Sequence, residues 1–508
     1  MTKHIAKIYS AELEGIRAKL IEVEVDLHAG LHAFNIVGLA DKALNEARER
    51  VNSALKNSGA KPPNRENRKI TVNLAPADVK KTGSNYDLAI ALGYLLSTKQ
   101  IKEFDAEKKI FVGELALDGR LRGIHGALNI AQMAAEQGYT HLYLPAQNAN
   151  EAAVISDIAV IPLNDLAQAI AILEERTAVA PALFSPVVRE DIQITDLSEI
   201  KGQEHAKRAL VIAAAGGHNL LMIGPPGVGK SLLAQALIGI LPELSTKEAI
   251  DVTKIYSAAG ISLPGLVDTR PFRAPHQTAS LVSVIGGGSD PKPGEISLAH
   301  RGILFLDELP EFQKNTLEAL RQPMESGAVH VARAKQSLIF PAKFTLVAAM
   351  NPCPCGFYGD PEKECRCGAY EVIRYQKKIS GPLLDRIDLQ IKVPRVHLKE
   401  LRERGREAPA SPAIKKEIEA ARAVQTERFK KYKIRTNSEM SSRQVGELVA
   451  FDADAERFLE TLDRARLSPR GYYRLLKTGR TIADLSGETK VAAAHLAEAF
   501  SYRLREEI

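Results

Sequence analysis

Apolar positions along the first 175 residues switch repeatedly between two periods. Ala43, Ala47, Val51 and Leu55 recur at helical spacing and predict an amphipathic helix over 40–58. Short apolar runs at 33–36, 70–74, 110–117 and 141–144 predict strands, the third closed by the turn pair Asp118-Gly119. Helical patterns fill 86–96 and 128–137. This alternation predicts an α/β domain over 1–175. Residues 176–196 hold Pro181 and Pro186 and little periodicity, and read as a linker. A second α/β pattern covers 197–398. Helical periods at 414–429 and 453–467 then make 399–508 a helical domain.

Chemistry enters at Gly224-Pro225-Pro226-Gly227-Val228-Gly229-Lys230-Ser231. The spacing is that of the phosphate-binding loop, G-x-x-x-x-G-K-[ST]. An apolar strand pattern at 219–223 precedes it and a helical pattern at 232–241 follows. The glycines let backbone N–H groups close around phosphate oxygens, and the helix N-terminus adds positive potential. Lys230 would reach the β/γ-phosphates and Ser231 would ligate Mg²⁺. The run 303–306 ends in Asp307-Glu308, so a buried strand would deliver two carboxylates beside that loop. Asp307 would hold Mg²⁺ and Glu308 would polarise the attacking water. A further strand at 344–350 ends at Asn351, whose amide can bond a γ-phosphate or the water. The cofactors expected are therefore ATP and Mg²⁺.

Composition changes this picture little. The 508 residues carry a net charge of +6, which permits a polyanionic partner without demanding one. No apolar run is long enough to span a bilayer and the first ten residues lack a signal-peptide core, so a cytoplasmic protein is expected. All four cysteines, Cys353, Cys355, Cys365 and Cys367, lie in one short stretch. As C-x-C…C-x-C they suit a tetrahedral Zn²⁺, or stand as reduced thiols in an ordered loop.

Two insertions bear on what the nucleotide drives. The first runs from Arg270 to Glu295 with Gly286-Gly287-Gly288, and its Gly/Pro content reads as a flexible loop on a helix. In the second, 329–332 and 337–340 read as a hairpin with Arg333 and Lys335 at its tip. Those cations suit DNA phosphates, or simply keep an exposed hairpin soluble. Lys61, Arg65, Arg68, Lys69, Lys80 and Lys81 form a second basic set, either a DNA-contacting rim or a solvated face. Arg428, Lys430, Lys431, Lys433 and Arg435, interleaved with Phe429 and Tyr432, form a third.

Several of these stretches resemble known families. Residues 80–87 and 113–126 resemble the Lon-protease-like fold. The positions of its Ser nucleophile and Lys base fall on Asn85 and Leu128, which cannot do that chemistry, so the resemblance implies a non-proteolytic relative. Ile200-Lys201-Gly202-Gln203 resembles the segment beside the adenine in AAA+ ATPases, which places Gln203 at the base. In the same resemblance Asn351 is sensor 1, Arg386 is an arginine finger and Arg470 is sensor 2. Arg386 could instead pair within the chain with Asp385 or Asp388, and Arg470 could be a surface residue at a helix start. A helix-2 insert plus a hairpin before sensor 1 resembles the clade of Mg-chelatase subunits and MCM helicases. With 293–302, 351–356 and 380–388, the whole chain is similar to the ComM/YifB family. That resemblance implies a hexameric, ATP-driven DNA motor that promotes branch migration of recombination junctions in natural transformation. A chelatase-type remodeller of a protein or metal-insertion partner is the alternative, and an ATP-dependent protease is disfavoured by Asn85 and Leu128.

Overall fold

The computed structural model describes residues 5–38, 42–65, 67–79, 81, 83–185, 195–261, 265–288, 291–332, 337–396, 410–462 and 467–503. The chain divides into two compact units. One comprises Met1–Val188, Ala249–Val267 and Ala332–Ile339; the other comprises Arg189–Glu248, Asp268–Val331 and Phe340–Ile508.

In the first unit, β1 (Ala6–Glu14) and β2 (Arg17–Ala29) form an antiparallel hairpin. Gly15 supplies the positive φ its tight turn needs. β3 (Ala33–Val37), α1 (Lys42–Asn57), β4 (Arg68–Ala75), α2 (Asp87–Ser97) and β5 (Lys109–Phe111) follow. Next come the short pair β6 (Glu114–Leu115) and β7 (Leu121–Arg122), then α3 (Ala127–Glu136), β8 (His141–Pro145), α4 (Ala149–Ala152), β9 (Ala159–Leu163) and α5 (Leu166–Leu173). Seven strands make one mixed sheet in the order β3-β4-β2-β1-β5-β8-β9. α2 is buried from Asp87 to Leu95, which fits a helix that is apolar around most of its circumference.

The run 110–117 is not one strand. It breaks at Gly113, whose N–H donates to Asn85 O and whose carbonyl accepts from Leu88 N–H. The chain therefore leaves the large sheet after Phe111 and pairs Glu114 and Leu115 with β7 instead. Lys81 is also not on a basic rim: it is fully buried and donates to Pro76 O. Lys61, Arg65, Arg68 and Lys69 are exposed, and Lys80 lies outside the described residues.

The second unit is built on α6 (Glu204–Gly216), β10 (Leu220–Ile223) and α7 (Lys230–Ile240). β11 (Phe272–Arg273), β14 (Ile303–Leu306), β17 (Thr345–Met350) and β18 (Leu389–Lys392) complete a five-stranded parallel sheet ordered β11-β14-β17-β10-β18. Between β11 and β14 the Gly-rich stretch is more regular than a loop. Ser280 caps a short helix, Leu281–Ile285, and β12 (Gly286–Gly287) pairs with β13 (Lys292–Pro293). A Cβ on Gly294 would lie 2.3 Å from Gly286 N, so the glycines there permit close backbone packing. β15 (Ala328–Ala332) and β16 (Ser337–Pro341) form the expected hairpin, whose tip residues Arg333 and Lys335 lie outside the described residues.

The C-terminal part contributes helices Ser411–Arg428, Ser442–Leu448, Ala453–Leu462, Pro469–Leu485 and Ala493–Ser501. Ile414, Ile418, Leu475, Ile482 and Ala499 join the core that also buries α6, α7 and the sheet.

Candidate nucleotide site

Parallel strands place their C-terminal ends along one edge, and the strand order decides what meets there. β17 lies between β10 and β14. The loop after β10, the carboxylates after β14 and the amide after β17 therefore converge. Pro226, Gly227, Gly229, Lys230, Ser231, Asp307, Glu308 and Asn351 line one cavity of about 390 Å³.

Lys230 Nζ donates to Gly224 O (2.6 Å), Pro225 O (2.9 Å) and Asn351 Oδ1 (3.0 Å). Burial lowers its pKa from the ordinary lysine value, while Asp307 and Glu308 pull it back up. Ser231 Oγ donates to Asp307 Oδ2 at 3.0 Å, bringing two hard oxygen ligands together as Mg²⁺ prefers. Glu308 holds a left-handed backbone (φ 51°) and its N–H bonds Asp307 Oδ1 at 2.9 Å. That bend aims consecutive carboxylates differently, a strain tolerated chiefly where function requires it. Gly224 has no room for a side chain: a Cβ would stand 2.2 Å from Val393 O.

Beside this lies a cavity of about 880 Å³ lined by Ile200, Gln203, Gly227, Val228, Glu362 and Arg395, among others. Gln203 is also left-handed (φ 61°) and donates from Nε2 to Pro394 O at 2.6 Å. Its Oε1 is buried without a hydrogen-bond partner among the described residues. An acceptor so placed suits a base with an exocyclic amine, as adenine has.

Arg386 and Arg470 meet elsewhere in this unit. Arg386 is buried, and its Nη2 lies 2.6 Å from Glu325 Oε1, which also pairs with Arg470 Nη2 at 2.9 Å. Neither Asp385 nor Asp388 is that partner. Asp388 is held by Arg474 Nη1 at 2.5 Å and by Asn219 N–H at 2.9 Å. Burial alone would raise its carboxyl pKa, but Arg474 and His218 hold it well below the carboxylate range.

The third basic set is partly structural. Arg428 pairs with buried Asp484, and Arg435 with Glu248 at 2.8 Å, which leaves Lys430, Lys431 and Lys433 exposed. In the first unit Ser84 donates to Glu114, a carboxylate rather than a lysine, and Leu128 is buried. The four cysteine sulfurs lie within 4.8 Å of one another.

Glu325, Asp360, Glu362 and Arg395 were not singled out by sequence. Arg395 follows β18 after Val393 and Pro394, and no motif marks it. Only the fold turns it toward the cavity beside the phosphate loop.

Three stretches of the chain match known family models. Residues 196–401 match the family model described as magnesium chelatase, subunit ChlI. Residues 23–148 match that of subunit ChlI of Mg-chelatase, and 408–503 that of the ChlI C-terminal region. The chain is 43% identical over 506 residues to competence protein ComM of Haemophilus influenzae, covering 98% of this chain and 97% of the relative. It is 42% identical to the protein YifB of Salmonella typhimurium over 501 residues, with 98% and 97% covered. It is likewise 42% identical to YifB of Escherichia coli over 491 residues, with 96% and 95% covered. The chain belongs to the ComM/YifB family of magnesium-chelatase-like AAA+ proteins.

Proposed function

We propose that this protein is an ATP-driven DNA motor that works as a ring, most simply a hexamer, and promotes branch migration of recombination junctions, as in natural transformation. One observation carries the motor: Lys230, Ser231, Asp307, Glu308 and Asn351 line a single cavity at one sheet edge. Full-length similarity to a protein named for competence supports DNA as the client.

The chemistry follows from the residues. Incoming phosphates offer Lys230 stronger acceptors than the two carbonyls and the amide that hold it. Ser231 and Asp307 would hold Mg²⁺, which neutralises charge on the transferred phosphoryl group. Glu308 accepts a proton from, or orients, the attacking water, and Asn351 reports the γ-phosphate to β17. Arg386 acts as the finger toward a neighbouring subunit, and Arg470 as sensor 2; both must then leave Glu325. Arg333 and Lys335 grip the DNA backbone. Residues 1–175 serve as a non-proteolytic Lon-like domain, 176–196 as a linker, 197–398 as the motor and 399–508 as its lid. The cytoplasm is the expected compartment; among the described residues, no helix is long and apolar enough to cross a membrane. The four clustered thiols suit a structural Zn²⁺.

The test is ATP-dependent movement on labelled three-strand and four-strand DNA junctions, with Glu308→Gln as the inactive control. Movement in the wild type alone supports the motor. No movement, with an ATPase indifferent to DNA, removes it. The magnesium-chelatase description of the matched family models favours a second reading, a remodeller of a protein or metal-insertion partner. ATPase stimulation by such a partner and not by DNA would select it.

A further inference from the structure

Residues 352–368 connect β17 to the helix Ala369–Gln376 without any helix or strand of their own. Such a loop is long for a compact domain, and it holds few apolar residues that could order it by packing. Its thiols converge instead. Cys353 Sγ lies 3.4 Å from Cys355 Sγ and 3.6 Å from Cys365 Sγ, and Cys355 Sγ lies 3.6 Å from Cys365 Sγ. Disulfide sulfurs would stand about 2.05 Å apart. A tetrahedron of sulfurs around Zn²⁺ at about 2.3 Å has edges near 3.8 Å. Backbone N–H groups of Arg366 and Phe357 bond Cys355, and that of Cys367 bonds Cys365. Such bonds hold ligand sulfurs in place around a metal.

The other face of the loop meets the nucleotide cavity. A Cβ on Gly356 would stand 2.6 Å from Pro226 Cδ, so the loop backbone packs directly on the phosphate loop. Asp360 Oδ2 lies 3.0 Å from Arg395 Nε, off the line of a hydrogen bond, and the Arg395 guanidinium sits 5.4 Å from the Phe357 ring. Asp360 is fixed in turn by the N–H groups of Glu362 (2.9 Å) and Lys363 (3.1 Å). Arg395 and Glu362 then line the cavity that holds Gln203 and the phosphate loop.

We infer that Cys353, Cys355, Cys365 and Cys367 bind one Zn²⁺, and that the zinc-stapled loop is a wall of the nucleotide cavity with Arg395 as its positioning residue. The inference rests on the nucleotide-site reading above but not on DNA. Metal binding and nucleotide affinity are thereby coupled: the staple fixes Phe357 and Asp360, these fix Arg395, and Arg395 shapes the space beside the phosphate loop.

The experiment uses the full chain. Metal analysis of purified protein should give about one Zn²⁺ per chain, released in step with titration of four thiols. Protein loaded with Co²⁺ should show the absorption of a tetrahedral tetrathiolate site. Cys365→Ser/Cys367→Ser should lose the metal and raise KM for ATP about tenfold, with kcat changed less than about twofold. Arg395→Ala should raise KM equally while keeping its zinc, and Arg395→Lys should restore part of the affinity. Should the cysteine variant fail to fold, chelator-treated wild type is measured instead by binding of a fluorescent ATP analogue. Zinc far below one per chain, with no cobalt spectrum, overturns the metal site. Zinc present with nucleotide affinity indifferent to its removal overturns the coupling. Loss of all nucleotide binding in untreated wild type would instead refute the nucleotide-site reading itself.

Discussion

Arg386→Ala separates a finger from a strut. Arg386 is 3% exposed and its guanidinium lies 2.6 Å from Glu325 Oε1. A charge pair at such range is worth roughly 6 kcal/mol at an effective dielectric of 20. The Glu325 side chain is 46% exposed and shared with Arg470, so solvent screening reduces this to about 1–2 kcal/mol. The hydrogen bond to Pro382 O adds about 1 kcal/mol. Arg386→Ala should therefore cost about 2–3 kcal/mol, a fall in Tm of roughly 3–5 °C for a unit of this size. A finger predicts something larger and different: kcat lower by about 10³-fold in protein that is still folded. Glu325→Gln is the control. It removes the clamp and lowers Tm similarly, yet leaves the guanidinium free to serve and should keep its ATPase. Mixing Arg386→Ala with Lys230→Ala should restore part of the activity, because each subunit lacks a different half of a shared site. ATPase measured at a temperature below both transitions, alongside thermal unfolding, decides the matter. Equal ATPase losses in Arg386→Ala and Glu325→Gln that follow stability, with no rescue on mixing, would refute the finger and leave a structural ion pair.

Other outcomes follow from the same geometry. Lys230→Ala removes the group that meets the phosphates and should abolish ATP turnover; wild-type hydrolysis in that variant would displace the site. Glu308→Gln should bind ATP and accumulate as an ATP-bound ring without turnover, visible as a stable large species by light scattering on ATP addition. His300 is buried and accepts the Lys343 N–H at Nδ1 (3.1 Å). Burial, reinforced by Arg301 and Lys343, pushes its imidazole down to about 3. A folded-state value below the unfolded 6.5 means stability fully present above about pH 6.5 and lost as pH falls toward 3, by up to about 5 kcal/mol. Urea unfolding between pH 7 and 4 should show that slope, and His300→Gln should flatten it; an unchanged slope removes His300 as its source. Lys335→Ala should weaken stimulation of the ATPase by DNA and spare the basal rate, and an unaltered DNA response would take the hairpin out of the mechanism.

The amino-acid sequence by itself determined the parts whose chemistry is local. A phosphate loop needs glycines at fixed offsets and a lysine at the helix start, so Gly224 to Ser231 could be read without any fold. A buried strand ending in two carboxylates is equally local, and so is a cluster of four cysteines in fifteen residues. Strands at 33–36, 70–74 and 141–144 matched: alternation at 70–74 records which face is buried, and the continuous apolar run at 141–144 fits a strand covered on both faces. Tertiary structure decided everything that depends on strand order and on distant partners. The β1–β2 hairpin is fixed by pairing from Ala6 with Val25 to Glu14 with Arg17, and the break at Gly113 depends on hydrogen bonds to Asn85 and Leu88. Lys81 looks like a surface cation beside other cations, yet the fold buries it against Pro76 O. Arg386 sits next to two aspartates in sequence, but its carboxylate partner is Glu325, sixty-one residues away. Arg395 has no motif at all and reaches the nucleotide cavity because β18 pairs with β10. The physical reason is common to these cases. A local pattern reports what a residue is able to do, whereas burial and Coulomb partners are set by chain segments that meet only once the sheets and helices have packed.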